Sequence, residues 1–324
     1  MPLRLVLILL YAVALTLAVP ESRAAGAGAH HPALRTPHSA LRTPRSANVS
    51  VAVLDLGATE TGGRATERLR KQLADAGAKG ETKLSLLDRE LGRAAERGIG
   101  YRGSLNLTLA EARALGAAIG CDFYVTGDAQ TIRRSSSARP VYFESYASVF
   151  VVSARTGRLV LWDRPRAEAD KPERAEASLL DELDERAAGY VAAVREAFAR
   201  EERERFDPPA DEGASLLDLS SDAGAGAHAG DLREPAPYRR LRPAYPDTAS
   251  RAEAEATVDV AVEIGADGEV GRVEIVRWAG FGLDDSVVST IRRMHFRPAE
   301  RGGQAVAVRV LLRYNFRRPP PTPE

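Results

Sequence analysis

The spacing of apolar residues changes period several times along the chain. Val49-Ser50-Val51-Ala52-Val53-Leu54-Asp55-Leu56 alternates and then runs apolar, the pattern of a buried strand. Residues 66–76 read as a helix, 84–87 as a second strand, and 88–97 as a helix opened by Asp88, which the helix dipole favours. Thr108 with Glu111 three residues on is a capping box. Leu109, Ala112, Leu115 and Ile119 keep one face of the helix that follows, and Gly120 stops it. Residues 123–127 predict a strand, and 142–152 with 158–162 an antiparallel pair turned at Thr156-Gly157. A helical stripe from Leu179 to Phe198 then sustains one long helix over 173–205. The last segment predicts a ββαβ module. Val258, Val260, Val262 and Ile264 share a face, and Asp267-Gly268 turns the chain into a return strand over 270–278. Leu283, Val287, Ile291 and Met294 sit at helical spacing, and residues 306–316 alternate as one long closing strand.

The pattern predicts an α+β or α/β chain: a two- or three-layer α/β domain over 48–205 with a long trailing helix, then a small module over 238–318. Between them, 206–237 turns to Pro, Ala, Gly, Asp and Ser and reads as a linker, and 319–324 as a tail. Residues 25–47 are Ala, Gly, Pro, His, Arg and Ser with a short duplication (Ala33-Leu34-Arg35-Thr36-Pro37, Ala40-Leu41-Arg42-Thr43-Pro44) and read as a flexible tether. Residues 1–24 have the order of a secretory signal: Arg4, an apolar run from Leu5 to Val19, then Pro20 and small residues. At 1.5 Å per residue the run spans roughly 22 Å, against about 30 Å of hydrocarbon. A cleaved signal is the first reading and a short uncleaved anchor the alternative.

Composition narrows the function. Lys+Arg and Asp+Glu are 45 each, so the basic surplus of a general nucleic-acid binder is missing. The one cysteine, Cys121, rules out an internal disulfide and any multi-cysteine metal site. Residues 163–212 carry 16 acidic and 9 basic residues, read as a solvated helix face. Gly57-Ala58-Thr59-Glu60-Thr61-Gly62-Gly63-Arg64 sits where a phosphate loop would, but lacks the Lys-Ser/Thr that meets phosphate and metal, and reads as a strand-to-helix turn. His30, His31 and His38 lie in the tether, His228 in the linker, and His295 beside core-like Phe296. Asn48-Val49-Ser50 and Asn106-Leu107-Thr108 match glycosylation sequons, to which the bacterial resemblance below gives no role. No nucleophile triad, carboxylate pair or metal set emerges, so neither an enzyme nor a cofactor is expected.

Residues 243–316 resemble the C-terminal domain of the TonB family, the periplasmic end of an energy-transducing envelope protein. The resemblance is carried by Pro243-Ala244-Tyr245-Pro246, the strand ending at Ile264 with Asp267-Gly268, Val273-Glu274-Ile275-Val276, Leu283-Asp284, His295-Phe296-Arg297-Pro298-Ala299, Gly303 and the strand ending at Phe316. Met294 stands where the family usually has Trp. The resemblance implies binding of an extended segment of an outer-membrane TonB-dependent transporter, or of another envelope protein, by strand addition. The receiving residues would be Val306, Val308, Arg309, Val310, Leu311, Arg313 and Tyr314, with Arg309 and Arg313 on the face opposite the apolar stripe. It also implies a periplasmic location, or an inner-membrane anchor facing the periplasm, and membrane contact only through an uncleaved N-terminal segment. The apolar run carries no His, and an α/β domain replaces the family's Pro-rich stalk.

Residues 49–165 resemble, through Val51-Ala52-Val53-Leu54-Asp55-Leu56, Leu86-Leu87-Asp88-Arg89, Leu115-Gly116 and Cys121-Asp122-Phe123-Tyr124-Val125-Thr126-Gly127, the α/β domain of CsgG-like and TolB-N-terminal-like envelope proteins. Two functions follow as expectations. One is a transport module whose last domain engages transporters, in energy-coupled transmembrane transport. The other is a non-transducing assembly protein whose α/β domain docks or forms a homo-oligomer while the last domain recruits partners.

Overall fold

In the computed structural model, residues 48–135, 139–206, 216–220 and 232–318 are described. The signal or anchor, the tether, the four tail and linker histidines and the 319–324 tail lie outside them. All described residues fall in one compact unit.

The first half is built on a six-stranded mixed sheet. Strands β1 (Asn48–Val53), β2 (Lys83–Leu86), β3 (Phe123–Arg134), β4 (Tyr142–Ser153) and β5 (Leu159–Asp163) run in the order β2-β1-β3-β4-β5, and β6 (Arg166–Ala169) also pairs with β4. β1 is parallel to β2 and β3, and the remaining pairs are antiparallel. Helices α1 (Glu60–Gly77) and α4 (Pro172–Phe206) cover one face through Leu69, Leu73, Leu179, Leu183, Val191 and Val194. Helices α2 (Arg89–Gly98) and α3 (Leu109–Ile119) lie on the other, where Ala95, Ala112, Leu115 and Ile119 pack. The half is therefore three-layered.

Local chemistry sets the helix ends. The capping box at α3 forms as expected: Glu111 N–H donates to Thr108 Oγ1 at 3.1 Å, and Thr108 N–H to Glu111 Oε2 at 2.8 Å. Gly120 ends that helix at φ 75°. The glycine-rich turn is the start of α1, six residues before the apolar pattern reveals it. Thr59 caps it by accepting from Gly62 N–H at 2.9 Å. A Cβ at Gly62 would meet Leu56 O at 2.2 Å, so the glycine there permits a close helix–strand approach.

The second half is a smaller sheet in the order β11-β10-β15-β7, built from β7 (Leu217–Asp218), β10 (Ala256–Ile264), β11 (Val270–Arg277) and β15 (Val308–Phe316). α5 (Asp247–Ala252) and α6 (Leu283–Ile291) complete a core of Val258, Val260, Val262, Ile264, Leu283, Val287 and Ile291. Short strands β8 (Leu232–Arg233), β9 (Ala236–Pro237), β12 (Phe296–Arg297), β13 (Ala299–Arg301) and β14 (Gln304–Val306) make two small side sheets. Two expectations change here. The described parts of the 206–237 stretch pair with this module as β7, β8 and β9. The expected 306–316 strand is two elements: the chain breaks at Ala307, whose carbonyl accepts from Leu217 N–H at 3.1 Å.

The halves are joined by the residues following β11. Trp278 is 1% exposed and packs in the first half's second core, with its ring centroid 5.7 Å from Phe150. Its Nε1–H donates to Gly157 O at 3.0 Å, and its N–H to Leu107 O at 3.2 Å. Phe281, at φ 55°, inserts between Phe150 and Trp162. Asn106 completes the junction: its side-chain amide donates to Thr257 O and Trp278 O and accepts from Thr257 N–H, at 2.7–3.0 Å. A side chain thus substitutes for a strand neighbour where the two sheets meet.

Trp278→Ala empties a filled site and orphans Gly157 O, and is expected to lower the unfolding free energy by ~3–5 kcal/mol in chemical denaturation. A loss below about 1 kcal/mol would contradict a docked junction.

Candidate functional site

A β-strand has two hydrogen-bonding edges, and β15 uses them unequally. One edge pairs with β10 along its whole length, in register from Ile264↔Val308 to Ala256↔Phe316. The other meets β7 only, in parallel, at Val308↔Leu217 and Arg309↔Asp218. Leu219 N–H adds a bond to Arg309 O at 2.7 Å. Because Ala307 and Arg309 turn their carbonyls to β7, the alternation of a strand turns the N–H and C=O of Leu311, Arg313 and Asn315 to the same side. Among the described residues no strand lies on that edge beyond Arg309.

The Asp218 carboxylate accepts from Ser220 N–H at 2.8 Å and from its hydroxyl, a side-chain turn at the end of β7. The Ser220 hydroxyl, against some burial, and then Ser220 N–H and nearby Arg309 hold Asp218 below the usual carboxylate range.

A groove of about 350 Å³ runs beside the open stretch. Pro235, Pro237, Leu241, Met294, Phe296 and Tyr314 form its apolar wall, with Glu234, Arg240 and Arg313 also lining it. Pro235 and Pro237 lack N–H groups, so this wall contributes fewer donors to compete with the edge. Burial raises the Tyr314 hydroxyl, which reaches Met294 Sδ at 3.8 Å.

The predicted receiving residues separate accordingly. Val306 lies in β14, opposite Ala299, and Val308 is fully buried between Ile264 and Leu217, so neither is on the open edge. Arg309 also lies under β7. Val310 and Tyr314 turn their backbones to β10 and their side chains to the core and groove. Leu311, 39% exposed, and Arg313 are on the open edge. The two arginines are ion-paired within the sheet. Arg309 Nη2 donates to Glu274 Oε2 at 2.8 Å, and Arg313 holds buried Asp259 through two bonds of 2.7 and 3.0 Å. Asp259↔Arg313 are cross-strand partners, so that pairing follows from register, while Arg309 lies 3.8 Å from its cross-strand partner Glu263 and bonds more closely to Glu274 on β11. Asn315 lies in the predicted 306–316 alternation but is not among the predicted receiving residues, and the 234–241 wall has no signal in the periodicity. The Pro-x-Pro at 235–237 is the one mark that sequence leaves of the wall.

A second cleft, of about 500 Å³, lies between β5, β11 and α6 and includes both tryptophans of the chain, Trp162 and Trp278. Several of its polar groups are already engaged. Arg158 reaches Glu274 at 3.0 Å, and Asp284 accepts from Ala279 N–H and Gly280 N–H at 2.9 and 2.7 Å. Burial pushes Glu274 up, and Arg158 and Arg309 outweigh it, leaving the carboxyl below its usual range. Burial pushes the Cys121 thiol up to about 12, away from a thiolate. His295 is exposed and its Nδ1 lies 3.0 Å from Glu269 Oε1. Among the described residues no group of three or more His, Cys, Asp or Glu is placed to hold a metal ion.

Residues 242–317 match the family model of the Gram-negative bacterial TonB protein C-terminal, and the resemblance drawn from Pro243-Ala244-Tyr245-Pro246 and His295-Phe296-Arg297-Pro298-Ala299 is borne out. Solved structures similar to the chain include the hypothetical protein CT253 of Chlamydia trachomatis (14% identity, 45% of this chain and 99% of that one, TM-score 0.32). They also include the Pseudomonas aeruginosa TonB C-terminal domain (22%, 32% and 95%, TM-score 0.24) and the LpoB C-terminal domain of Escherichia coli (15%, 38% and 85%, TM-score 0.25). At these identities and TM-scores they carry no functional information. No curated protein matches the chain. The chain thus carries a TonB C-terminal domain, and the family match supports an envelope protein with envelope proteins as its partners. No helix among the described residues is long and apolar enough to cross a membrane.

Asp284 makes the anchoring turn sensitive to pH. Burial, against the two N–H bonds and with Asp285 nearby, raises its carboxyl to about 6. The folded state therefore holds this proton more tightly than the unfolded chain. The stabilisation is complete below about pH 4 and lost as pH rises through about 6. The difference in unfolding free energy between the native chain and Asp284→Asn is expected to change by ~1–3 kcal/mol between pH 4 and 7. A difference that stays constant over that range would contradict the assignment.

Proposed function

We propose that the C-terminal module receives an extended segment of an envelope protein by strand addition at the open edge of β15, from Leu311 to Phe316. The observation that carries this reading is the unequal use of the two edges of β15. Six residues at about 3.3 Å each make a site roughly 20 Å long, enough for a short strand. Main-chain bonds would supply affinity, and the groove beside Tyr314 would select alternate side chains. Leu311, Arg313 and Asn315 are the backbone contacts in this reading, with Val310 and Tyr314 as groove walls.

The partner in the transport reading is an outer-membrane TonB-dependent transporter and the compartment is the periplasm. The family match and the signal-like order of residues 1–24 support it. With residues 1–24 uncleaved, the chain would be anchored in the inner membrane, and binding at β15 would serve energy-coupled transmembrane transport. With a cleaved signal, the same edge would recruit envelope proteins to an assembly. The three-layer half, proposed on its sequence motifs as CsgG-like or TolB-N-terminal-like, would then dock or form a homo-oligomer. The firm docking at Trp278 favours this second use, since it makes the module part of the α/β body.

Titration of the labelled full chain with extended N-terminal segments of such transporters, followed by amide NMR, is expected to shift Leu311, Arg313 and Asn315. Leu311→Pro removes an outward N–H while sparing the β10 ladder, and is expected to abolish those shifts with the fold intact. Shifts confined to other surfaces, or binding that survives Leu311→Pro unchanged, would contradict strand addition here.

A further inference from the structure

The strand that β15 already holds shows what chemistry its edge accepts. β7 and the residue after it read Leu217-Asp218-Leu219. Leu217 and Leu219 pack against the C-terminal core, while Asp218 lies opposite Arg309 on the outer face. The chain's own segment is therefore an apolar–acidic–apolar strand, matched rung by rung to an apolar inner face and a basic outer one. Both faces continue past the point where β7 leaves. Val310, Leu312 and Tyr314 extend the apolar face, and on the outer face Arg313 repeats the basic position four residues on from Arg309, with Leu311 between them.

The surroundings carry the same charge. The stretches 232–242 and 309–318, which flank the groove, hold eight arginines and a single glutamate. Arg309, Arg313, Arg318 and Arg233 are ion-paired within the module. Arg239, Arg240, Arg242 and Arg317 are exposed, and among the described residues none of the four forms an ion pair. Arg240 lines the groove itself. The chain as a whole has a formal net charge of +0, so this is a local concentration of positive charge around one open edge.

We propose that the open stretch of β15 is selective for an extended segment alternating apolar and acidic residues, with β7 as a built-in copy of that chemistry on the adjoining rungs. In either strand direction, the residue opposite Arg313 shares its face and meets positive charge. The residues opposite Leu312 and Tyr314 face the apolar groove. This rests on the strand-addition reading and adds to it the chemical identity of the partner.

The test uses three fluorescein-labelled synthetic heptapeptides: one alternating leucine with aspartate, one with serine and one with lysine. Each is titrated against the full chain by fluorescence anisotropy at low salt. The aspartate peptide is expected to bind at least about tenfold tighter than the lysine peptide, with serine between them, and to weaken as salt is raised. Arg240→Glu combined with Arg317→Glu touches no ion pair among the described residues. It is expected to reduce the aspartate preference several-fold with the thermal transition unchanged. Leu311→Pro is expected to remove binding of all three. Equal binding of the three peptides, or a preference for lysine, both still lost in Leu311→Pro, would overturn the proposed selectivity while leaving strand addition standing. Binding of none of the peptides, or binding indifferent to Leu311→Pro, would overturn both.

Discussion

Every buried or paired backbone group in a sheet needs a neighbour on its own side, and among the described residues β15 has a full set of neighbours on one side only. Its ladder with β10 binds nine residues and closes the core of the C-terminal module. On the other side β7 satisfies the first rungs and ends at the Asp218–Ser220 bonds. That imbalance is what the proposed strand addition rests on. An open edge is a liability unless it is short, charged or used. Here it is short, and it is surrounded by arginine.

The rest of the molecule holds this edge in place. Trp278 and Phe281 reach from the end of β11 into the aromatic pocket of Phe150 and Trp162, and Asp284 fixes the turn between them through two backbone bonds. Asn106 closes the seam where β10 and β11 would otherwise show unpaired groups to the first half. Charge pairing continues across it: Arg158 of the first half holds Glu274, which also holds Arg309 of β15. β15 is thus tied through one shared carboxylate to the α/β body.

Much of this was legible in the sequence, because the larger elements announce themselves by period and by caps. The Thr108–Glu111 box, the Gly120 stop and the Val258–Ile264 alternation appear where expected. What was not legible lay below the length at which a period can be read. β7, β8 and β9 are two residues each, too short to stand out in a Pro- and Ala-rich stretch. The alternation from Ala305 to Phe316 runs unbroken across Ala307, so the break there is imposed by the β13–β14 hairpin and by β7, both tertiary facts. Arg309 and Arg313 fall on the predicted face, but their partners Glu274 and Asp259 follow only once the register of β15, β10 and β11 is known. Trp278 reads equally as a strand end packing on its own module or on another. Composition holds no sign of which core it enters.

Amide hydrogen exchange on the free full chain, read residue by residue by NMR, tests the open edge most directly. Val310, Leu312 and Tyr314 donate toward β10, whereas Leu311, Arg313 and Asn315 donate toward solvent. Exchange should therefore alternate, with the second set at least about tenfold faster than the first. Uniform protection from Val310 to Tyr314 would mean that both sides of the strand are already occupied, and the site described above would not exist.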